Sequence, residues 1–226
     1  YTPPVAIVAG MDESGLGPVL GPLVVACAAF EVPDEHVDTS LWRRLSGTVT
    51  RRPGRGRRSV AIDDSKRLYA AGRGLAALEL GVLAAVGAEG GAPARVGELL
   101  AAVAGDGAPW TVGCPWYDGL DRRLPRAARP DEVEALAERL RRRLARAGTR
   151  LVGLRAEVLE AAELNGLLAA GASKADAAFG RVARLLTGLA AIERGQRLIV
   201  HLDRQGGRIR YREPLARVFP SAFVWI

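Results

Sequence analysis

Residues 5–18 read VAIVAGMDESGLGP, and Gly21-Pro22 follow shortly after. The apolar run from Val5 to Met11 predicts a buried strand, which the Gly/Pro cluster ends or bends sharply. Asp12 and Glu13 therefore lie at a strand end, where neighbouring side chains point to opposite faces. Because unpaired carboxylates are costly to bury, they are either solvated or met by a cation. A solvated strand end and a divalent-metal site facing a phosphate both remain open.

Further apolar runs extend the pattern. Residues 20–30 and 5–11 suggest a hairpin-like pair of strands, and further strands are expected over 151–158 and 197–202. Helices are expected over 75–86, over 131–148 and 159–170, and after a cap formed by Ser173 and Asp176. Strands first, then alternating strand and helix, predict an α/β fold on a mixed sheet flanked by helices. We expect one domain over 1–226, with inserted segments at about 34–58 and 92–130.

Helix ends are predicted from local signals. Asp131, with Glu134 three residues later, resembles a capping box, and Gly148 is a credible helix stop. An apolar segment beginning at Val218 predicts a last strand, cut at Ile226, so the C-terminus is expected to be truncated.

The chain is basic, with 32 Lys and Arg against 25 Asp and Glu and a formal net charge of +7. A basic chain favours anionic partners, nucleic acid first, although a solvated basic surface explains the same charge. The run RRPGRGRR at 51–58 is read as an exposed loop, with a phosphate contact as its functional alternative. The aromatic turn at 114–117 is either a self-burying cluster or a platform for a base.

The other compositional signals point to an ordinary cytoplasmic protein. Cys27 and Cys114 lie far apart, and Cys27 sits in an apolar run that predicts a small buried side chain. The sequence has no CxxC or zinc-ligand spacing and no apolar stretch long enough to cross a bilayer. We therefore expect no membrane partner. Oligomeric state is not indicated.

Asp203 follows the apolar part of the strand predicted over 197–202. If this strand is a neighbour of the first one, Asp12, Glu13 and Asp203 converge. Such hard oxygen ligands suit Mg²⁺ or Mn²⁺ and favour phosphoryl chemistry. Two such cations would activate water and stabilise a leaving oxygen. Asp203 read by itself is equally a turn residue before Gly206-Gly207.

Four segments in order resemble the ribonuclease HII/HIII family. The first, MDESGLGPVLGPLVVACAAF from Met11, is similar to the family pattern G-x-D-E-x-G-x-G-P-x-x-G-P. The second, Asp64-Ser65-Lys66-Arg67-Leu68, is similar to D-S-K-x-L. The two weaker segments are EAAELNGLL from Glu160 and LIVHLD ending at Asp203. Together they cover roughly a third of the chain.

The resemblance implies a ribonuclease H-like fold and metal-dependent hydrolysis of RNA in an RNA–DNA hybrid. Asp12, Glu13 and Asp203 match three of four metal-binding catalytic carboxylates. Substrate contacts would come from Ser14, Gly15, Leu16, Gly17 and Lys66. The glycines would let backbone amides approach the nucleic acid. Lys66 would bind a phosphate, a role that the surrounding Asp-Ser-Lys match favours over that of a plain surface lysine.

The chain departs from the family in three places. Leu16 stands where the HII type has Arg, which weakens the case for recognition of a single ribonucleotide; the HIII type also lacks this Arg. No acid follows Glu213, so either the fourth carboxylate lies beyond Ile226 or the site is incomplete. The first and third acids are also further apart than in ordinary members, which indicates a divergent branch.

Three functions follow from this sequence. The first is a Mg²⁺- or Mn²⁺-dependent endonuclease for hybrids, with water as the nucleophile. The second is a nucleic-acid-binding relative that has lost its chemistry, and the third is a metal-dependent nuclease for another substrate, such as structured DNA. His201, two residues before Asp203, shares its face of a strand. It is either a proton-transfer group or a hydrogen-bonded core residue.

Overall fold

The computed structural model describes residues 4–14, 21–52, 59–69, 74–104, 114, 117–192, 195–204, 208 and 210–220. The elements in chain order are β1 (Val5–Ser14), β2 (Leu23–Pro33), α1 (Leu41–Arg44), β3 (Val49–Thr50), β4 (Val60–Ala61), α2 (Ser65–Leu68), α3 (Leu75–Gly90), α4 (Val96–Ala104), α5 (Pro130–Arg146), β5 (Arg150–Leu159), α6 (Ala161–Ala169), α7 (Lys174–Ile192), β6 (Arg197–Leu202) and α8 (Arg212–Val218). None of the described helices combines the length and the apolar character that a membrane span requires.

The chain divides into two compact units. One comprises Tyr1–Val5 and Glu31–Leu151, and the other comprises Ala6–Phe30 and Val152–Ile226. We call them the insertion-bearing unit and the sheet unit, because the first contains both predicted insertions.

The sheet unit is built on a mixed four-stranded sheet with the order β5-β2-β1-β6. The mixed α/β architecture predicted from the sequence is therefore observed. The first and the last of the described strands, β1 and β6, lie side by side in this sheet. They run parallel, in a register that pairs Ala6 with Arg197 and Met11 with Leu202.

One face of this sheet is covered by α7. Ile7, Ala9 and Met11 of β1 are buried in one cluster with five apolar residues of α7, namely Phe179, Val182, Leu185, Leu186 and Leu189. Leu198, Val200 and Leu202 of β6 pack against the same cluster. Because strand side chains alternate between faces, these contacts fix which face every other residue of β1 and β6 occupies.

The insertion-bearing unit packs α3 against α5 beside the short parallel pair β3 and β4. Its core joins Val60 of β4 to Leu80 and Leu83 of α3 and to Val133 and Leu136 of α5. These apolar positions recur at helical spacing, so the two helices bury one face each.

Several local predictions agree with the structure. The predicted strand over 197–202 is β6, and the strand predicted over 151–158 is β5 with one extra residue at each end. Ser173 and Asp176 form the predicted cap of α7, because the Asp176 amide donates to the Ser173 hydroxyl at 3.1 Å and the Ser173 amide donates to the Asp176 carboxylate at 3.2 Å. Gly148 follows α5 with φ +58°, in the left-handed conformation expected of a stop.

The predicted capping box at Asp131 is wrong. Helix α5 begins one residue earlier, at Pro130, and its N-cap Arg129 makes no side-chain capping bond. Proline suits the first helical position because its φ is preset and the amide it lacks would be unpaired there. Asp131 instead accepts hydrogen bonds of 2.9 and 2.7 Å from the Arg129 guanidinium.

Two segments differ from the sequence expectation. No helix or strand was predicted over 34–52, whereas the structure forms a 3-10 turn at Asp34–His36 followed by α1 and β3. The sequence reading left 211–217 unassigned, whereas the structure forms α8 there, and Val218 ends that helix instead of beginning a strand. The predicted strand beyond it, at 221–226, lies outside the described residues.

Candidate functional site

The carboxyl ends of β1 and β6 bring Asp12 and Asp203 together. The ladder pairs Met11 with Leu202, and the next amide, that of Asp203, donates to the Met11 carbonyl oxygen at 3.2 Å. Asp12 and Asp203 are therefore the next residues of two adjacent parallel strands. The two acids come from opposite ends of the sequence and meet at one edge of the sheet.

Both carboxylates belong to the sheet face that α7 does not cover. Met11 and Leu202 face α7, so the alternation of each strand directs Asp12 and Asp203 to the other side. His201 shares that side and is paired with Gly10 across the two strands. All four of these side-chain positions are exposed. His201 is thus a surface residue beside the two acids and does not form part of the buried core.

Glu13 occupies a different environment. Strand alternation assigns it to the Met11 face, and it is half-buried, with its Oε2 atom shielded from solvent. Ser14, the last residue of β1, is exposed. The described structure therefore brings together two of the three predicted carboxylates at one edge of the sheet, with the third on the adjacent position of the same strand.

The other predicted contacts are placed as follows. Gly15, Leu16 and Gly17 lie outside the described residues. Lys66 is exposed in α2 of the insertion-bearing unit. Its helix is capped by Asp64, whose carboxylate accepts from the amides of Lys66 at 2.9 Å and Arg67 at 3.1 Å. The aspartate of the D-S-K-x-L segment therefore orients the backbone around the lysine.

The two site carboxylates have the donor chemistry that a hard cation requires. In each, the Oδ1 atom accepts the amide of the following residue: Glu13 donates to Asp12 at 2.8 Å, and Arg204 donates to Asp203 at 2.8 Å. Among the described residues no group donates to the Oδ2 atom of either carboxylate, and both aspartates are exposed.

This donor set fits one mode of magnesium binding. Mg²⁺ in phosphoryl-transfer sites is held by one or two carboxylates together with waters and substrate phosphates. The described part of the chain contains no cluster of three or more His, Cys, Asp or Glu side chains able to hold a metal by themselves. Asp12 and Asp203 thus fit a cation shared with a phosphate and not an all-protein cage.

A group of residues that the sequence analysis did not single out supports the chain beyond Asp203. The Tyr211 hydroxyl lies 3.5 Å from the Asp203 carbonyl oxygen, and the Tyr211 ring lies 6.3 Å from that of Phe179 in α7. The Arg208 guanidinium lies over the same Phe179 ring at 5.6 Å and donates to Asp176. The Asp203 carbonyl group is therefore linked through Tyr211 to the N-terminal part of α7.

Asp176 links the helix cap to this support. The Ser173 hydroxyl and, next, the Arg208 guanidinium hold the pKa of the Asp176 carboxyl below its usual range, because each stabilises the charged form. The Ser173/Asp176 cap was visible in the sequence. The bond between Asp176 and Arg208 could not be predicted, because nothing in the local sequence pattern pairs Arg208 with a residue of α7.

Cys27 has no place in the site. It is buried on the α7 side of β2, and burial raises the pKa of its thiol to about 11. The prediction of a small buried side chain is confirmed, and a thiol with so high a pKa is a poor nucleophile.

No family model, no curated protein and no solved structure matches this chain.

Proposed function

We propose that this protein is a metal-dependent endonuclease that hydrolyses the RNA strand of RNA–DNA hybrids by two-metal-ion catalysis. The observation that supports it most is the hydrogen bond from the Asp203 amide to the Met11 carbonyl. This bond joins two carboxylate-bearing strand ends that the sequence separates by most of its length. The ribonuclease HII/HIII-like segments supply the substrate class.

In this proposal Asp12 and Asp203 hold Mg²⁺ or Mn²⁺ through their Oδ2 atoms. Glu13, which strand alternation assigns to the other face of β1, is the third carboxylate of the family pattern. The bound metal supplies an activated water nucleophile and stabilises the leaving oxygen. The amides of Glu13 and Arg204 fix the orientation of the two aspartates, so the ligand oxygens need little reordering when substrate arrives. Lys66 contributes a phosphate contact, and the Ser14–Gly17 segment contributes backbone contacts to the RNA strand.

Cleavage of a labelled RNA–DNA hybrid in Mg²⁺ or Mn²⁺ tests the proposal. We expect Asp12→Asn and Asp203→Asn each to lower the rate on the order of 100-fold or more, since even residues that only orient metal ligands cost 10- to 100-fold when replaced. Asp38→Asn is the matched control, because Asp38 is exposed and makes no described ion pair. The proposal fails if the hybrid stays intact with both metals, or if both site variants cleave at the wild-type rate.

A second candidate is a nucleic-acid-binding protein that has lost catalysis. It is favoured by the absence of a three-ligand cluster among the described residues and by the position of Glu13 on the other face of β1. This protein would bind the hybrid in EDTA with a salt-dependent affinity and leave it uncut in either metal. Duplex DNA and duplex RNA, compared in the same assay, separate both candidates from a nuclease for another substrate.

A further inference from the structure

Most arginines with described contacts in the insertion-bearing unit form ion pairs or hydrogen bonds with other residues of that unit. Arg129, Arg142 and Arg150 pair with Asp131, Glu138 and Glu31. Others donate to backbone carbonyls, as Arg139 does to Gly47 at 3.0 Å and Arg143 to Arg44 at 2.5 Å. These side chains stabilise the fold, so their charge is not evidence of a ligand.

Some exposed arginines of this unit have no described ion pair, and three of them lie in α1 and directly after β3. Arg43, Arg51 and Arg52 are exposed, and no described carboxylate forms an ion pair with any of them. One of them contacts an aromatic residue: the Arg51 guanidinium lies over the Trp42 ring, 4.1 Å from its centroid, while Arg43 follows Trp42 in α1 and Arg52 follows Arg51. We call Trp42, Arg43, Arg51 and Arg52 the Trp42 patch.

The Trp42 patch is held in place by the β3/β4 pair. The Trp42 indole N–H donates to the Ile62 carbonyl at 2.8 Å, and the Ile62 amide donates to the Thr50 carbonyl at 2.8 Å. Thr50 ends β3 and leads directly into Arg51. The ring is thus hydrogen-bonded to the residue that follows β4, and the backbone of Arg51 continues directly from β3, so both are positioned before a ligand binds.

The acids next to the patch are already engaged. Ile62 is followed by Asp63 and Asp64, which would otherwise repel an anion. Asp63 lies 3.9 Å from the Arg67 guanidinium, and Asp64 caps α2. Lys66, four residues after Ile62, remains exposed, so the basic character of the surface continues along the chain.

From this arrangement we infer that the Trp42 patch binds single-stranded nucleic acid, with a base stacked on the Arg51–Trp42 pair and phosphates on Arg43 and Arg52. The inference goes beyond the function proposed above, whose substrate is a duplex hybrid, and rests on it only for nucleic acid as the ligand class. Guanidinium planes and aromatic rings accept unpaired bases, and base stacking is sequence-tolerant. In a duplex the base faces are stacked on one another, so a single strand is the form that uses the pair.

Fluorescence anisotropy with labelled 20-nucleotide oligo-dT and oligo-rU, in EDTA, tests the inference on the full chain. We expect the double variant Arg51→Gln/Arg52→Gln to raise the dissociation constant roughly 5- to 100-fold, the range that one to two lost stacking or phosphate contacts produce. Arg123→Gln/Arg146→Gln is the matched control. It removes the same charge from two exposed arginines outside the patch, neither of which has a described ion pair.

The variants Trp42→Phe and Trp42→Ala distinguish base stacking on the aromatic ring from electrostatic attraction by the arginines. Phe keeps an aromatic face and is expected to bind within about threefold of wild type, whereas Ala is expected to lose about tenfold. If Trp42→Ala does not fold, the exposed Arg51/Arg52 variant carries the test, with its melting temperature as the check on folding. Equal losses in the two arginine double variants, or no loss in either, overturn the inference.

The outcome is separable from that of the nuclease assay. Asp12→Asn is expected to bind the oligonucleotides like wild type, because the carboxylate site plays no part in binding at the patch. Loss of cleavage with binding intact would refute the endonuclease and keep the patch. Cleavage of a hybrid by the Arg51/Arg52 variant, with wild-type single-strand affinity, would refute the patch and keep the endonuclease.

Discussion

Replacement of Glu79 by Ala is expected to destabilise the insertion-bearing unit strongly. Glu79 lies in α3, is 8% exposed, and accepts the backbone amides of three successive residues, 126–128, just before α5 begins. The bonds from Ala127 and Ala128 to Oε2 measure 2.7 and 2.8 Å. The carboxylate therefore holds the approach to α5 against α3.

The magnitude follows from the number of bonds and from their exposure. A hydrogen bond to a charged group contributes about 1.5–3 kcal/mol, and three of them set an upper range near 5–9 kcal/mol. Arg126 and Ala127 are exposed, so water replaces part of what the carboxylate supplies. We expect a loss of about 3–5 kcal/mol for Glu79→Ala, which is a fall in Tm on the order of 10 °C for a chain of this size.

Glu79→Gln is the sharper variant because it keeps the shape of the side chain. The amide oxygen can still accept two of the three N–H groups, but its NH₂ group then faces the third donor, so about 2 kcal/mol is expected. Urea and thermal unfolding followed by circular dichroism measure both variants. The control is Glu134→Gln, at an exposed position of α5. If Glu79→Gln and Glu134→Gln are equally stable, the three hydrogen bonds do not hold this segment.

Three further predictions concern the two units separately. Gly87→Ala adds a Cβ 3.0 Å from that of Ala137, where α3 meets α5, so urea unfolding should show a loss of about 1–3 kcal/mol, whereas Gly90→Ala, with open space around it, should show none. Equal stabilities would contradict the close approach. The Cys27 thiol, with a pKa raised to about 11 by burial, should resist Ellman's reagent at pH 8 until the protein is unfolded; rapid labelling of the folded protein would refute its burial. The pKa of Asp176 is lowered in the folded state, so wild type should exceed Asp176→Asn in Tm above about pH 4, and the gap should close as the pH falls further. A gap that stays constant down to pH 2 would show that the carboxylate charge contributes nothing.

Composition gives the number of arginines, whereas the structure shows what each of them contacts. The excess of positive charge predicts an anionic partner, but it cannot say which arginines are available to one. Arg139 and Arg143 lie on one basic helix, yet both donate to backbone carbonyls of the segment around α1. Arg51 belongs to a run read as a solvated loop, yet it lies over Trp42. Whether an arginine can contact an anionic partner therefore depends on the groups around its side chain in the folded protein, which local sequence does not give.

The helix starts show the same division on a smaller scale. Ser173 and Asp176 predicted the cap of α7 correctly, because a capping box is made of residues three apart and needs no tertiary partner. The same reasoning failed at Asp131, where the preceding Pro130 provides a better first helical residue and the acid pairs with Arg129 instead. Two local signals competed here, the proline at the first helical position and the acid spacing of a capping box. The spacing of the residues does not say which of the two is stronger.

The sequence by itself determined the strand that carries Asp12, the strand that Asp203 follows, and the apolar positions that bury one side of each. Those are properties of short segments, set by alternation and by the residues that interrupt it. Only the tertiary structure decided that β1 and β6 are parallel neighbours in this register, that Asp12 and Asp203 share the face opposite α7, and that Glu13 has the other. A shift of one residue would exchange the faces, and register is fixed by packing between segments that lie far apart in the chain.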